Sequence, residues 1–142
     1  MKISPSLQWI APYLLDVKHI IDLSKIVEIK AKKVGIKSKT IHVGLTLLYP
    51  NGEFKIILNT NYQRWHFKKQ NGQCVSKLKE YSLIDLLTTL AHELAHVLSY
   101  TFDHTPQHKI DECRINICFM KRLLEEDYIS EEDEVCTLKK CE

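Results

Sequence analysis

The chain has 142 residues, 44% of them apolar and 27% charged, with a formal net charge of +2. These proportions describe a soluble globular chain and exclude both a disordered polymer and a membrane span; the length fits a single domain over residues 1–142, which buries roughly two thirds of the surface its extended chain exposes. The charge is uneven: residues 1–110 hold 15 Lys/Arg against 8 Asp/Glu, whereas residues 111–142 hold 5 against 10, so a basic body carries an acidic tail.

The opening MKISPSLQWIAPYLL has one Lys and an apolar run broken by Ser, Pro and Gln. It lacks the continuous apolar core of a signal peptide. An intracellular protein, of cytoplasm or nucleus and without a membrane partner, is expected. Five cysteines, Cys74, Cys113, Cys118, Cys136 and Cys141, are odd in number and nowhere spaced C-x-x-C. Reduced thiols are expected in place of a disulfide framework or a zinc ribbon.

From Ala11 to about Val34 apolar residues recur at mostly helical intervals, among them Leu14, Val17, Ile21, Ile26 and Ile29. This predicts two short helices broken near Ser24, with Gly35 as a stop. Between Thr40 and Asn59 the period changes to two, and Tyr49-Pro50-Asn51-Gly52 interrupts it. That pattern predicts a hairpin with Asn51-Gly52 at its tip. Asn59 to Lys79 is polar around a second Asn-Gly pair, Asn71-Gly72, so a long loop or a further hairpin lies there.

Ser82-Leu83-Ile84-Asp85 reads as a capping box, and Leu83, Leu86, Leu87, Leu90, Leu94 and Leu98 follow as a core-facing stripe. A helix therefore runs from Ser82 to about Tyr100, where Asp103, Thr105 and Pro106 favour a turn. A last helix is expected from about Ile110 to Glu126, with residues 126–142 as an acidic, solvated and partly frayed tail.

Four of the seven histidines fall in TLAHELAHVLSYTFDHTPQH, Thr89 to His108. At about 100° per residue, His92 and His96 stand about 40° apart on one helix face, opposite the Leu90/Leu94 stripe. One turn of helix brings both imidazoles to a single Zn²⁺, and Glu93 points beside it, where it can hold a water. This is the H-E-x-x-H pattern. A catalytic zinc takes three protein ligands and keeps a fourth position open. His104, His108, Asp111 and Glu112 are the residues within reach for the third: His104 by one tight reversal, Glu112 if the following helix packs across the site.

HELAHVLSYTFDHTPQH resembles the active-site segment of SprT-like and WLM-domain metalloproteases, in which H-E-x-x-H and a short connection lead to a histidine that opens an H-x-P-x-F-type turn. On that pattern His104 matches the third ligand, with His92 and His96, while His108 stands where the family has an aromatic residue. The resemblance covers about Leu90 to Lys109. It implies an α+β, minimal zincin-like fold of N-terminal helices, a short sheet or hairpin, the active-site helix and a C-terminal return helix. It also implies one zinc per chain, a protein substrate and, for the better-known members, cleavage of proteins crosslinked to DNA.

In such a site Glu93 is the catalytic base: it takes a proton from the attacking water and passes it to the leaving amine. Tyr100 and His108 are candidates to stabilise the oxyanion, and the hairpin offers an edge strand to an extended substrate. The run NYQRWHFKK, Asn61 to Lys69, interleaves aromatic and basic residues; Arg64, Trp65, Lys68 and Lys69 are candidate contacts to single-stranded DNA, with packing of the aromatics on the sheet as the plainer alternative.

Two rival enzyme readings start from the same histidines. One resembles the phage-repressor-cleaving ImmA type, with Glu112 as third ligand. The other is similar to the RNA-processing YbeY type in its three histidines but differs in having Glu93. A zinc-stabilised module without activity leaves Glu93 without a task.

Overall fold

The computed structural model describes residues 1–33, 43–60 and 83–126, and the backbone course of 63–70 and 73–80. In chain order it contains β1 (Lys2–Ile3), a 3-10 helix (Pro5–Ile10), α1 (Ala11–Asp16), a short 3-10 turn (Leu23–Lys25), β2 (Ile26–Lys32), β3 (Gly44–Leu48), β4 (Phe54–Asn59), β5 (Gln63–Gln70), β6 (Gln73–Glu80), α2 (Leu83–Ser99) and α3 (Pro106–Glu125). The fold is a mixed α+β one.

Four strands form one sheet in the order β1-β2-β4-β3. β1 and β2 run parallel, as do β2 and β4, while β3 returns antiparallel along β4 and forms the sheet's edge. β5 and β6 pair separately as an antiparallel ribbon. α2 lies against β3 and β4 on one side and against α3 on the other. Between these layers Ile29, Ile56, Leu90, Leu94, Ile115 and Phe119 are fully buried, each worth about 1.5–3 kcal/mol of transfer free energy.

The predicted β3–β4 hairpin is present. Its turn is closed by Gly52 N–H donating to the Tyr49 carbonyl at 3.0 Å and Tyr49 N–H donating to the Glu53 carbonyl at 2.8 Å. Gly52 takes φ +87°, a conformation that costs a residue with a Cβ but not glycine. The further hairpin allowed between Asn59 and Lys79 is the β5–β6 ribbon; its Asn71-Gly72 pair, like the expected cap Ser82 and stop Gly35, lies outside the described residues.

The N-terminal expectation needs correction. α1 is one short helix, and Ile26–Lys32 is a central strand, not a second helix. The register explains the misreading. Ile26 pairs with Phe54 and Glu28 with Lys55, so Val27 is an extra residue bulged out of the ladder. A bulge puts positions three apart on one face of a strand, and Ile26 and Ile29, both buried, acquire the spacing of a helix.

The last helix begins earlier than expected, at Pro106. Thr105 caps it by accepting from His108 N–H at 3.1 Å, and Pro106 occupies the first turn, where a missing N–H costs nothing. At its other end Arg122 makes a two-pronged contact with the Asp16 carboxylate and donates to Glu126 at 3.1 Å, while Tyr13 Oη–H donates to Glu126 Oε2 at 3.1 Å. The Arg122 guanidinium holds the Asp16 carboxyl below its ordinary range. Glu126, the first residue of the expected acidic tail, is thus tied to α1; the rest of that tail, 127–142, lies outside the described residues.

Candidate metal centre

α2 carries His92, Glu93 and His96 on its last two turns. Histidines four apart share a face, and their rings lie edge to face, centroids 4.9 Å apart. After Ser99 the chain reverses through Tyr100, which adopts φ +54°, and the connection reaches Thr105 before α3 begins. His104 in this connection is exposed, and its Nε2 comes within 3.1 Å of His92 Nε2. His92, His96 and His104 offer ligand atoms that all lie within 4.8 Å of one another.

The other ring nitrogens are occupied. His96 Nδ1–H donates to the Thr101 carbonyl at 2.8 Å, which fixes the tautomer and leaves Nε2 with its lone pair. His92 Nδ1 lies 3.1 Å from Glu112 Oε1. Imidazoles whose far nitrogen donates to a carbonyl or carboxylate are the usual form of a metal-ligating histidine. A second group, His92, His108 and Glu112, also lies within 4.8 Å. It shares His92 with the first and adds His108 and Glu112 of α3.

His108 is buried on the first turn of α3. Its ring stacks on His96, centroids 4.1 Å apart, and its Nε2–H donates to the His92 main-chain carbonyl at 3.0 Å. Its ring is thus used for packing, and its Nε2 is engaged by that carbonyl. Tyr100, the other oxyanion candidate, is exposed and packs edge-on against Phe54 at 5.6 Å.

Local charge separates the imidazoles. The hydrogen bond to Glu112 raises His92 above its ordinary pKa against the effect of burial, and the charges of Glu112 and Glu93 add to the rise. Burial lowers His96 and His108, opposed by the carbonyls of Thr101 and His92, with neighbouring imidazoles pushing further down.

Glu93 stands about 100° round the helix from His92, on the side that meets β3. It is buried at 5% exposure, and its Oε2 accepts from Thr46 Oγ1–H on β3 at 3.1 Å. Glu93 and His96 are buried because β3 and α3 both close over α2. An open cleft of about 370 Å³ reaches the histidines from the α3 side, lined by His92, His104, Pro106, His108, Lys109 and Glu112.

The structure therefore gathers the four expected residues His92, Glu93, His96 and His104 about one end of α2. Arg64, Trp65, Lys68 and Lys69 fall on β5, paired in register with Lys79, Leu78, Val75 and Cys74 of β6; their side chains lie outside the described residues. Sequence reading passed over Thr46 and Gly44. A glycine inside a strand pattern signals close approach of another element, and that signal was present at Gly44.

No helix among the described residues is long and apolar enough to cross a membrane, and Cys118 is a free thiol. No protein-family model, curated protein or solved structure matches the chain.

Proposed function

We propose that the protein is a zinc-dependent metallopeptidase whose ligands are His92, His96 and His104 and whose general base is Glu93. The observation that carries this reading is the paired orientation of the two helical imidazoles: His96 Nδ1 is engaged by a carbonyl and His92 Nδ1 by a carboxylate, while His92 Nε2 sits 3.1 Å from His104 Nε2. Two nitrogens bound at about 2.0–2.1 Å to a tetrahedral zinc lie about 3.3 Å apart, so the donor set fits that ion.

Bound there, zinc would supply a Lewis acid able to acidify a water and polarise a carbonyl. Glu93 accepts the proton of the attacking water and returns it to the departing amine. Glu112 and the Thr101 carbonyl hold the ligand rings in the tautomer that offers Nε2. The edge of β3, outermost in the sheet among the described residues, receives an extended peptide by main-chain hydrogen bonds, and the cleft on the α3 side leaves room for the chain beyond the scissile bond.

Chelation and elemental analysis test the metal, with about one zinc per chain expected. Hydrolysis of an unfolded protein by wild type, lost on chelation and in Glu93→Gln, tests the chemistry. A metal-loaded protein that cleaves no peptide bond under these conditions would sink the peptidase reading. DNA-bound protein as the substrate class rests on the sequence resemblance and on the basic, aromatic stretch around Trp65. The same assay with and without single-stranded DNA decides it: no stimulation, together with no salt-sensitive DNA binding, would leave a peptidase acting independently of DNA.

A further inference from the structure

The sequence motif says which residue is the base but not what holds it. Thr46 lies on the edge strand, is 6% exposed, and has one hydroxyl proton. Its two nearby acceptors both belong to Glu93, the carboxylate Oε2 at 3.1 Å and the main-chain carbonyl at 3.3 Å. A β-branched residue on a strand has restricted χ1, so the backbone of β3 dictates where this hydroxyl points.

Two residues earlier, Gly44 meets the same helix. A Cβ there would fall 2.7 Å from Thr89 Cγ2, 3.1 Å from Glu93 Cγ and 3.4 Å from Glu93 Cδ. The strand thus touches Glu93 along the length of its side chain, by a missing Cβ at one point and a hydroxyl at the next. Neither residue belongs to either metal-binding group.

We propose that β3 sets the position of the Glu93 carboxylate, with Thr46 as a positioning residue and Gly44 as the gap that lets the strand come close enough. The proposal rests on the peptidase reading and deepens it. The edge offered to an extended peptide and the group that holds the base are the same strand, so substrate and base are placed by one rigid element. Misplacement of a catalytic group by about 1 Å can cost about 100-fold in rate, which gives the hydroxyl a large task.

The test uses Thr46→Val, which keeps the shape and loses the hydroxyl, and Thr46→Ser, which keeps the hydroxyl. In the zinc-loaded protein Thr46→Val should retain its metal and leave KM within about three-fold while kcat falls by about 10- to 100-fold; Thr46→Ser should recover most of kcat. A Thr46→Val enzyme with the wild-type kcat, or a Thr46→Ser enzyme as slow as Thr46→Val, overturns the positioning role.

A second measurement needs no activity. In metal-free protein Thr46→Val should lower the melting temperature when Glu93 is present, and still do so in Glu93→Gln, whose amide oxygen accepts the same bond. It should lower it less in Glu93→Ala, where only the main-chain carbonyl is left to accept. Equal shifts in all three backgrounds mean that the hydroxyl does not hold this side chain, and the proposal falls whatever the activity. Background-dependent melting in a protein that hydrolyses nothing would instead sink the peptidase reading and leave the hold of β3 on Glu93 standing.

Discussion

The two flanks of α2 are built on different plans. On the flank facing β3, Glu93 is enclosed, held by a strand hydroxyl and backed by a glycine with no room for a methyl group. On the flank facing α3 the histidines border an open cleft, and one of them, His104, is exposed on a short connection. The proposed base is placed by the sheet and the proposed metal ligands by the helix pair. The two functions should therefore fail separately.

The sharpest way to break that comparison is Glu93→Gln. An amide can hold a water but cannot take its proton, so hydrolysis should fall by about two to four orders of magnitude, the usual worth of a general base, while zinc content measured by elemental analysis stays at wild type. Loss of zinc in this variant would mean that the flanks are not independent.

The next effect separates the two sets that share His92. His104→Ala removes a ligand and should weaken zinc binding, measured by chelator competition, by more than Glu112→Ala does. Removing Glu112 takes away the hydrogen-bond partner of His92 Nδ1, a loss typically about 10- to 100-fold in metal affinity. If Glu112→Ala loses zinc and His104→Ala does not, the metal belongs with His92, His108 and Glu112.

Gly44→Ala probes the closed flank. Its new methyl would sit 2.7 Å from Thr89 Cγ2, and overpacking of this kind costs about 1–3 kcal/mol of stability, read as a lower urea midpoint. Thr89→Ser removes the obstructing methyl and should return part of that loss. Equal midpoints for Gly44→Ala and wild type would mean that β3 is free to move away from the helix.

The smallest effect is in proton affinity. In metal-free protein, histidine NMR should show His92 titrating above the ordinary value near 6.5, and His96 and His108 below it. The signs differ in their consequence for stability. The contribution of His92 is present below pH 6.5 and is lost as pH rises through its raised folded value; those of His96 and His108 are present above pH 6.5 and are lost as pH falls through their lowered values. A His92 that titrates below His96 would remove Glu112 as its partner.

Much of this was legible in the residues themselves. The α2 stripe, the Asn51-Gly52 turn and the joint presence of His92, Glu93 and His96 at one end of a helix follow from local periodicity and turn chemistry, which need no distant partner. His104 was within reach for a similar reason, since the Thr-Pro that follows it forces an early turn. The strand Ile26–Lys32 was not legible, because a bulge at Val27 gave it helical spacing and only pairing with β1 and β4 shows otherwise. Thr46 lies 47 positions from Glu93, and Glu112 lies 20 from His92. No local pattern encodes such partners, because a side-chain hydrogen bond between distant positions exists only once the elements carrying them have packed. Sequence alone thus supplied the candidate ligands and base, through helix geometry over a single turn; the tertiary fold decided which nitrogen of each imidazole stays available and where the carboxylate rests, because those depend on what α3 and β3 bring to either side of the helix.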